Sequence, residues 1–270
     1  MNRVTIVYKP DEKCLNICRE LTMLFRNYGF DVKTHSVDDV FTEKDREADL
    51  VVSIGGDGTL LRISRVYQHY TPLILPIPCG RRTVLYEDIE PNEYSSVVNR
   101  VVNGLYTIEL LKRLKITVDS NNYMFLNEVL LISSDRGRVT GFEITVKTIN
   151  YTSVVRFEGD GVIIGPSTGS AAYNLSTRGS LIDSSIDAVF ITPLNPVELN
   201  ILPVIVPYFS KIMVSSRGYT ELYVDGEETV FLKPNTVSVI EPSIFNLRVI
   251  RLFNRDLLKK VFSKRRLVFD

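Results

Sequence analysis

A carboxylate set among glycines is the feature of this sequence best suited to do chemistry. Asp57 lies in Gly55-Gly56-Asp57-Gly58-Thr59, after the apolar run Leu50 to Ile54 and before Leu60, Leu61, Ile63 and Val66 at helical spacing. The run is rich in β-branched residues and reads as a strand buried on both faces. Paired glycines allow a sharp turn and a close approach of backbone to a ligand, and Thr59 is placed to cap the helix that follows. Strand, glycine turn and helix N-terminus form an anion-binding construction, because unpaired N–H groups and the positive end of the helix dipole face the turn. A carboxylate beside a phosphate repels it unless it works chemically, as a proton acceptor or through a metal. A plain strand-to-helix turn uses the same residue types, so the glycines alone do not decide.

A second cluster of Gly, Ser, Thr and Asp runs from Glu158 to Asp183. It offers Asp160, hydroxyls and N–H groups to a polar ligand. Gly165-Pro166-Ser167-Thr168-Gly169 matches the nucleophile elbow of α/β-hydrolases, but that mechanism needs a histidine after the serine. Both histidines, His35 and His69, precede it. With only two histidines a His-based metal site is not expected, and the metal called for is Mg²⁺, held by carboxylates and substrate phosphates. Cys14 and Cys18 share a helix face and read as buried small apolar residues, and Cys79 stands alone.

The elements that must position these groups change character part-way along the chain. Val4 to Tyr8, Phe30 to Thr34, Leu50 to Ile54 and Leu73 to Ile77 read as strands that alternate with helices over Glu12 to Tyr28, Leu60 to Tyr70 and Pro91 to Val102. That alternation is the mark of a parallel α/β layer, in which ligands bind beyond the carboxyl ends of the strands. Past Tyr106 strand patterns dominate, among them Ile108 to Val118, Tyr123 to Ile132, Gly141 to Ile149 and Ser153 to Phe157. The expected fold is an α/β N-terminal domain with a parallel sheet plus a predominantly β C-terminal domain. The expected divisions are 1–105, 106–245 and a tail, 246–270, that packs back on the N-terminal domain, with a basic helix over Arg255 to Phe262 whose charges read as a solvated face.

Bulk properties narrow the classes. The chain has 270 residues and equal numbers, 32 and 32, of basic and acidic residues, which argues against a dedicated nucleic-acid binder. No apolar run is long enough for a membrane span and the N-terminus lacks a signal-peptide pattern, so a cytoplasmic protein without membrane partner is expected.

Three segments in order carry a resemblance: GGDGTLL at Gly55 to Leu61, Leu126-Asn127-Glu128, and GDGVIIGPSTGSAAYNLS at Gly159 to Ser176. Together with TPLNP at Thr192 to Pro196 and VDGEE at Val224 to Glu228, they resemble the NAD kinases over about Arg3 to Ile240. The resemblance implies transfer of the terminal phosphoryl of ATP, or of polyphosphate, to the 2′-hydroxyl of the adenosine ribose of NAD, giving NADP. It implies Asp57 as the catalytic carboxylate, with Gly55, Gly56, Gly58 and Thr59 shaping the phosphate turn. It implies Asn127 and Glu128 on ribose hydroxyls or adenine, and Asp160, Ser170, Ala172, Tyr173 and Ser176 lining the dinucleotide site. A homodimer or homotetramer is implied as well.

The sequence departs from that family at Pro76 to Leu85, where an Asn and a Gly-Phe pair are usual. In their place Arg81 and Arg82 are expected on a phosphate, and Tyr86 or a branched aliphatic on the base. Two other readings stay open at this level. One is a lipid or sugar kinase with the same GGDGT turn; the other is a catalytically silent dinucleotide sensor.

Overall fold

The computed structural model describes residues 2–39, 41–42, 47–80, 83–253 and 256–264. Two compact units divide the chain: Met1–Leu111 with Phe245–Asp270, and Lys112–Ile244.

In the first unit β1 (Arg3–Tyr8), β2 (Asp31–Ser36), β3 (Leu50–Gly55) and β4 (Leu73–Pro78) lie parallel in the order β2-β1-β3-β4. α1 (Glu12–Asn27), α2 (Asp57–Val66) and α3 (Tyr94–Val102) accompany them. All six residues of β3 are buried, as a strand paired on both edges and covered on both faces must be. The sheet continues through β18 (Leu247–Arg251), parallel to β4, and ends on β5 (Thr107–Leu111), antiparallel to β18. The C-terminal segment thus supplies an internal strand of this sheet. Its last helix, α5 (Leu257–Lys264), is not simply a solvated basic face: Lys260 is buried, and its Nζ donates to the Tyr86 carbonyl and lies 3.1 Å from an Asp88 carboxylate oxygen.

The second unit is two antiparallel six-stranded sheets. One holds β6 (Leu114–Val118), β7 (Asn121–Phe125), β9 (Thr140–Lys147), β10 (Thr152–Gly159), β14 (Lys211–Ser216) and β17 (Ser238–Pro242). The other holds β8 (Val129–Ser133), β11 (Gly161–Pro166), β12 (Ala188–Leu194), β13 (Val204–Pro207), β15 (Thr220–Val224) and β16 (Glu227–Leu232). Alternate residues of both, such as Ile116, Ile144, Leu131 and Leu222, share one core. The segment after β11 covers the outer face of the second sheet, where Ile163, Ile182 and Phe190 make a smaller cluster. An α/β unit with a parallel sheet and a mostly β unit is the fold class expected from the sequence.

Two strands read as continuous are broken. Ile108 to Val118 is β5 and β6, one in each unit, because the chain crosses from one unit to the other at Lys112. Tyr123 to Ile132 is β7 and β8, interrupted at Leu126–Glu128. Polar pairs, Lys112-Arg113 and Asn127-Glu128, stand at the two breaks, but polar residues are as usual on the exposed face of a strand and do not by themselves mark an end.

Candidate active site

In the first unit the chain passes from β1 outward to β2 and then back to β3 on the other side of β1, so the strand order reverses between β1 and β3. Crevices open at the carboxyl ends of strands where order reverses. A cleft of about 610 Å³ lies there, lined by Lys9 after β1, by Gly56 to Thr59 after β3, and by Cys79 after β4. Gly56 is the N-cap residue of α2, and Asp57 is its first helical residue. Thr59 is therefore not the cap expected of it. It sits in the first turn and packs against Gly55, where any Cβ would collide with its hydroxyl. Lys9 and Arg62 add cations to the cleft, each facing a carboxylate, Asp11 and Asp38 respectively.

The Asp57 carboxylate accepts from the backbone N–H of Val84 at 2.9 Å and of Leu85 at 3.0 Å. It thereby holds the end of the segment in which the sequence departs from the family that it resembles. From the other side Leu252 and Phe253 N–H groups donate to Glu87 at 2.9 and 2.7 Å, and Arg251 donates to the Leu85 carbonyl at 2.9 Å. Tyr86 is fully buried with its hydroxyl 2.6 Å from that of Ser53, and burial raises its pKa far above the usual phenol value. A ring so placed is core and does not pack on a base, which corrects the expectation for Tyr86. Arg81 and Arg82 lie outside the described residues.

Cys14 and Cys79 are joined in a disulfide with Cα atoms 5.7 Å apart, and only Cys18 is a free, buried thiol. The reading of all three as unconnected fails because parallel packing brings the first turn of α1 beside the end of β4, a proximity that 65 residues of separation conceal. The link is close to the glycine turn, since the Cys79 N–H donates to the Gly55 carbonyl at 2.9 Å.

In the second unit the break between β7 and β8 carries Asn127 and Glu128. Gly165 and Gly169 pack so closely on the Asn127 backbone that a Cβ on either would overlap its carbonyl oxygen. The TGSAAY segment therefore lies directly against Asn127 and Glu128. Tyr173, half-exposed, opens the short helix α4 (Tyr173–Ser176), and its N–H donates to the Glu128 carboxylate. Ala172 is half-buried and Ser176 exposed on the same segment. Glu128 is buried, and its pKa rises to about 8, first through loss of solvation and then through the negative charge of Asp225.

Two expected site residues are placed differently. The Ser170 hydroxyl is fully buried and engaged twice with Ile182, donating to its carbonyl and accepting from its N–H, both at 2.9 Å. Asp160 precedes β11 and receives a hydrogen bond from Asn195 at 2.7 Å, while the Ser133 N–H donates to its carbonyl. Gly161 pairs with Ile132 and Ile164 with Val129, so Asp160 lies at the opposite end of β8 from Glu128. Within one chain it does not join the Asn127 cluster.

The comparisons with known proteins fall on the same two regions. The ATP-NAD kinase N-terminal domain model matches residues 6–106, and the ATP-NAD kinase C-terminal domain model matches 126–252. This chain belongs to the NAD kinase family. An NAD kinase of Thermococcus kodakarensis is 34% identical over 85% of this chain and 82% of its own length. One of Bacteroides fragilis is 30% identical over 88% and 82%. In fold the chain is similar to an NAD kinase from Archaeoglobus fulgidus solved in complex with ATP, at TM-score 0.80, 22% identity and coverage of 97% and 98%. It is also similar to yeast NADH kinase solved with NADH, at TM-score 0.85, 20% identity and coverage of 100% and 89%. Among the residues that the structure brings to these two regions, Lys9, Arg62 and Asp225 escaped the reading of the sequence: the first two lie in no motif, and the third stood in VDGEE without a role.

Proposed function

We propose that this NAD kinase family enzyme transfers the terminal phosphoryl of ATP to the 2′-hydroxyl of the adenosine ribose of NAD, producing NADP. The observation that carries the residue assignment is the place of Asp57, a carboxylate at the head of α2 on a cleft at the strand-order reversal. Phosphoryl transfer needs alignment, neutralisation of phosphate charge and one group to take or orient the acceptor proton. Asp57 takes that proton. Gly56, Gly58 and the first N–H groups of α2 receive phosphate oxygens, and Lys9 and Arg62 add positive charge.

Asn127, Glu128 and Tyr173 bind NAD, with Ala172 and Ser176 on the same segment. Glu128, neutral near pH 7, donates a hydrogen bond to a ligand oxygen, a use that also relieves its buried carboxyl. The oxygen donors of the cleft, Asp38 and Asp57, suit a hard divalent cation. Mg²⁺ held by them and by the donor phosphates would supply charge neutralisation.

NADP formation from NAD, ATP and Mg²⁺ tests the whole reading, with polyphosphate replacing ATP in a parallel reaction. NADP is expected with ATP; phosphorylation of a lipid or sugar with none of NAD would overturn it. We further place the enzyme in the cytoplasm as a homodimer or homotetramer. The exposed Ile149 and the exposed Val154 and Val155 of edge strand β10 support association. Light scattering that returned a monomer at micromolar concentration would reject it.

A further inference from the structure

Leu126, Asn127 and Glu128 lie between two strands, where no ladder supplies partners for their N–H groups. One carboxylate does so instead. Asp225 accepts from Leu126 N–H at 3.0 Å, Asn127 N–H at 2.7 Å and Glu128 N–H at 3.3 Å. Its own N–H returns a bond to the Glu128 carbonyl at 2.9 Å. The two segments are about a hundred residues apart in the chain, yet four backbone N–H groups join them at one point.

The hairpin that carries Asp225 does not itself need a carboxylate. Asp225 and Gly226 connect β15 to β16 as a two-residue turn with φ of 48° and 80°. Asn or Gly serves that backbone as well as Asp. A carboxylate here is 6% exposed and costs solvation, so its presence calls for a compensating charge and a use. The charge is Arg113, fully buried just before β6 in the second unit. Burial pulls its pKa down to about 10 and the attraction of Asp225 opposes that fall, so it remains a cation at neutral pH. The use is the Asn127–Glu128 backbone. Glu128 Oε2 is buried and has no partner among the described residues.

We propose that Asp225 is the positioning residue of the NAD-binding segment, its carboxylate fixing the backbone of Asn127 and Glu128 so that both side chains face the dinucleotide, with Arg113 as its counter-charge. The proposal rests on the reading that Asn127 contacts NAD. A merely structural carboxylate would hold the fold, whereas this one sets the geometry of one substrate's site.

The test is steady-state kinetics of Asp225→Asn and Asp225→Gly, both tolerated by the turn, with Asn127→Ala measured beside them. Both Asp225 variants should raise the KM for NAD tenfold or more and leave the KM for ATP within twofold, while remaining folded with a melting temperature lowered by the loss of the counter-charge to Arg113. In Asp225→Asn, loss of the negative charge should also move the alkaline midpoint of the pH profile of kcat/KM for NAD to lower pH, because that charge raises the Glu128 pKa. A KM for NAD within twofold of the parent would overturn the proposal. So would KM values for both substrates rising together with a fall in melting temperature, or failure of both variants to fold, since either makes Asp225 a folding determinant only. If Asn127→Ala leaves NAD affinity unchanged, the underlying reading of the segment has failed instead.

Discussion

The glycine turn of the first unit and the Asn127–Glu128 break of the second present polar groups by opposite constructions. Gly55 to Thr59 is built from its own neighbourhood: a buried strand ends, a helix begins, and the free N–H groups arise from helix geometry within a few residues. Leu126 to Glu128 has its N–H groups already satisfied, by a carboxylate from another hairpin, and offers side chains to a ligand instead. A site made from backbone donors tolerates substitution of its side chains. A site made from borrowed contacts fails when a distant residue changes.

The Cys14–Cys79 link qualifies that contrast, because it ties the local turn to a remote segment. Closing a loop of 65 residues stabilises by about 4 kcal/mol through the unfolded state. Cys14→Ser, or dithiothreitol on the parent, should therefore shift the urea midpoint of the first unit's unfolding strongly downward, followed by circular dichroism. An unmoved midpoint would mean that the thiols are not joined in solution, and that the turn stands on local structure alone.

Asp57→Asn probes the chemistry of that turn. Asparagine keeps one acceptor for Val84 or Leu85 N–H but cannot take a proton, so kcat should fall about a hundredfold or more, roughly 2.7 kcal/mol. Binding of NAD should persist in isothermal calorimetry. Near-normal turnover would remove Asp57 from the reaction.

These two constructions also explain what could be read in advance. The Leu50 strand, the turn and the following helix are local patterns, and so were legible, as was the change from α/β to β after Tyr106. The internal strand β18 was not, because Arg248 and Arg251 interrupt its apolar residues and its neighbours β4 and β5 lie far back in the chain. Motifs pointed to Asn127, Glu128 and Tyr173, and the fold brings them together. They pointed equally to Asp160 and Ser170, where only the register of β8 and β11 and the bonds to Ile182 reveal a different placement. Asp225 shows the limit most plainly: its type fits a hairpin turn, and nothing nearby in the sequence announces the three N–H groups that it receives.

Asn127→Ala should weaken NAD binding by about 2 kcal/mol, the cost of leaving polar groups of ligand and site unpaired. The calorimetric measurement separates the two constructions, since affinity for ATP should not change with it. Reduced thermal stability with unchanged NAD affinity would make the residue a packing element of the break.

The last expected effect is a slope. Burial, and then the charge of Asp225, raise the Glu128 pKa from the usual carboxylate range to about 8, so the folded protein holds a proton that the unfolded chain releases near pH 4.5. The stability linked to that proton is fully present below pH 4.5 and is lost as pH rises toward 8, at no more than about 1.4 kcal/mol per pH unit. Glu128→Gln has nothing to titrate, while every other group remains. The difference in unfolding free energy between parent and variant should therefore fall steadily from pH 5 to 8 and level off above. Urea titrations at four pH values read this directly. Curves that stay parallel across that range would mean that Glu128 is ionised throughout, and that Arg113 compensates both carboxylates rather than Asp225 alone.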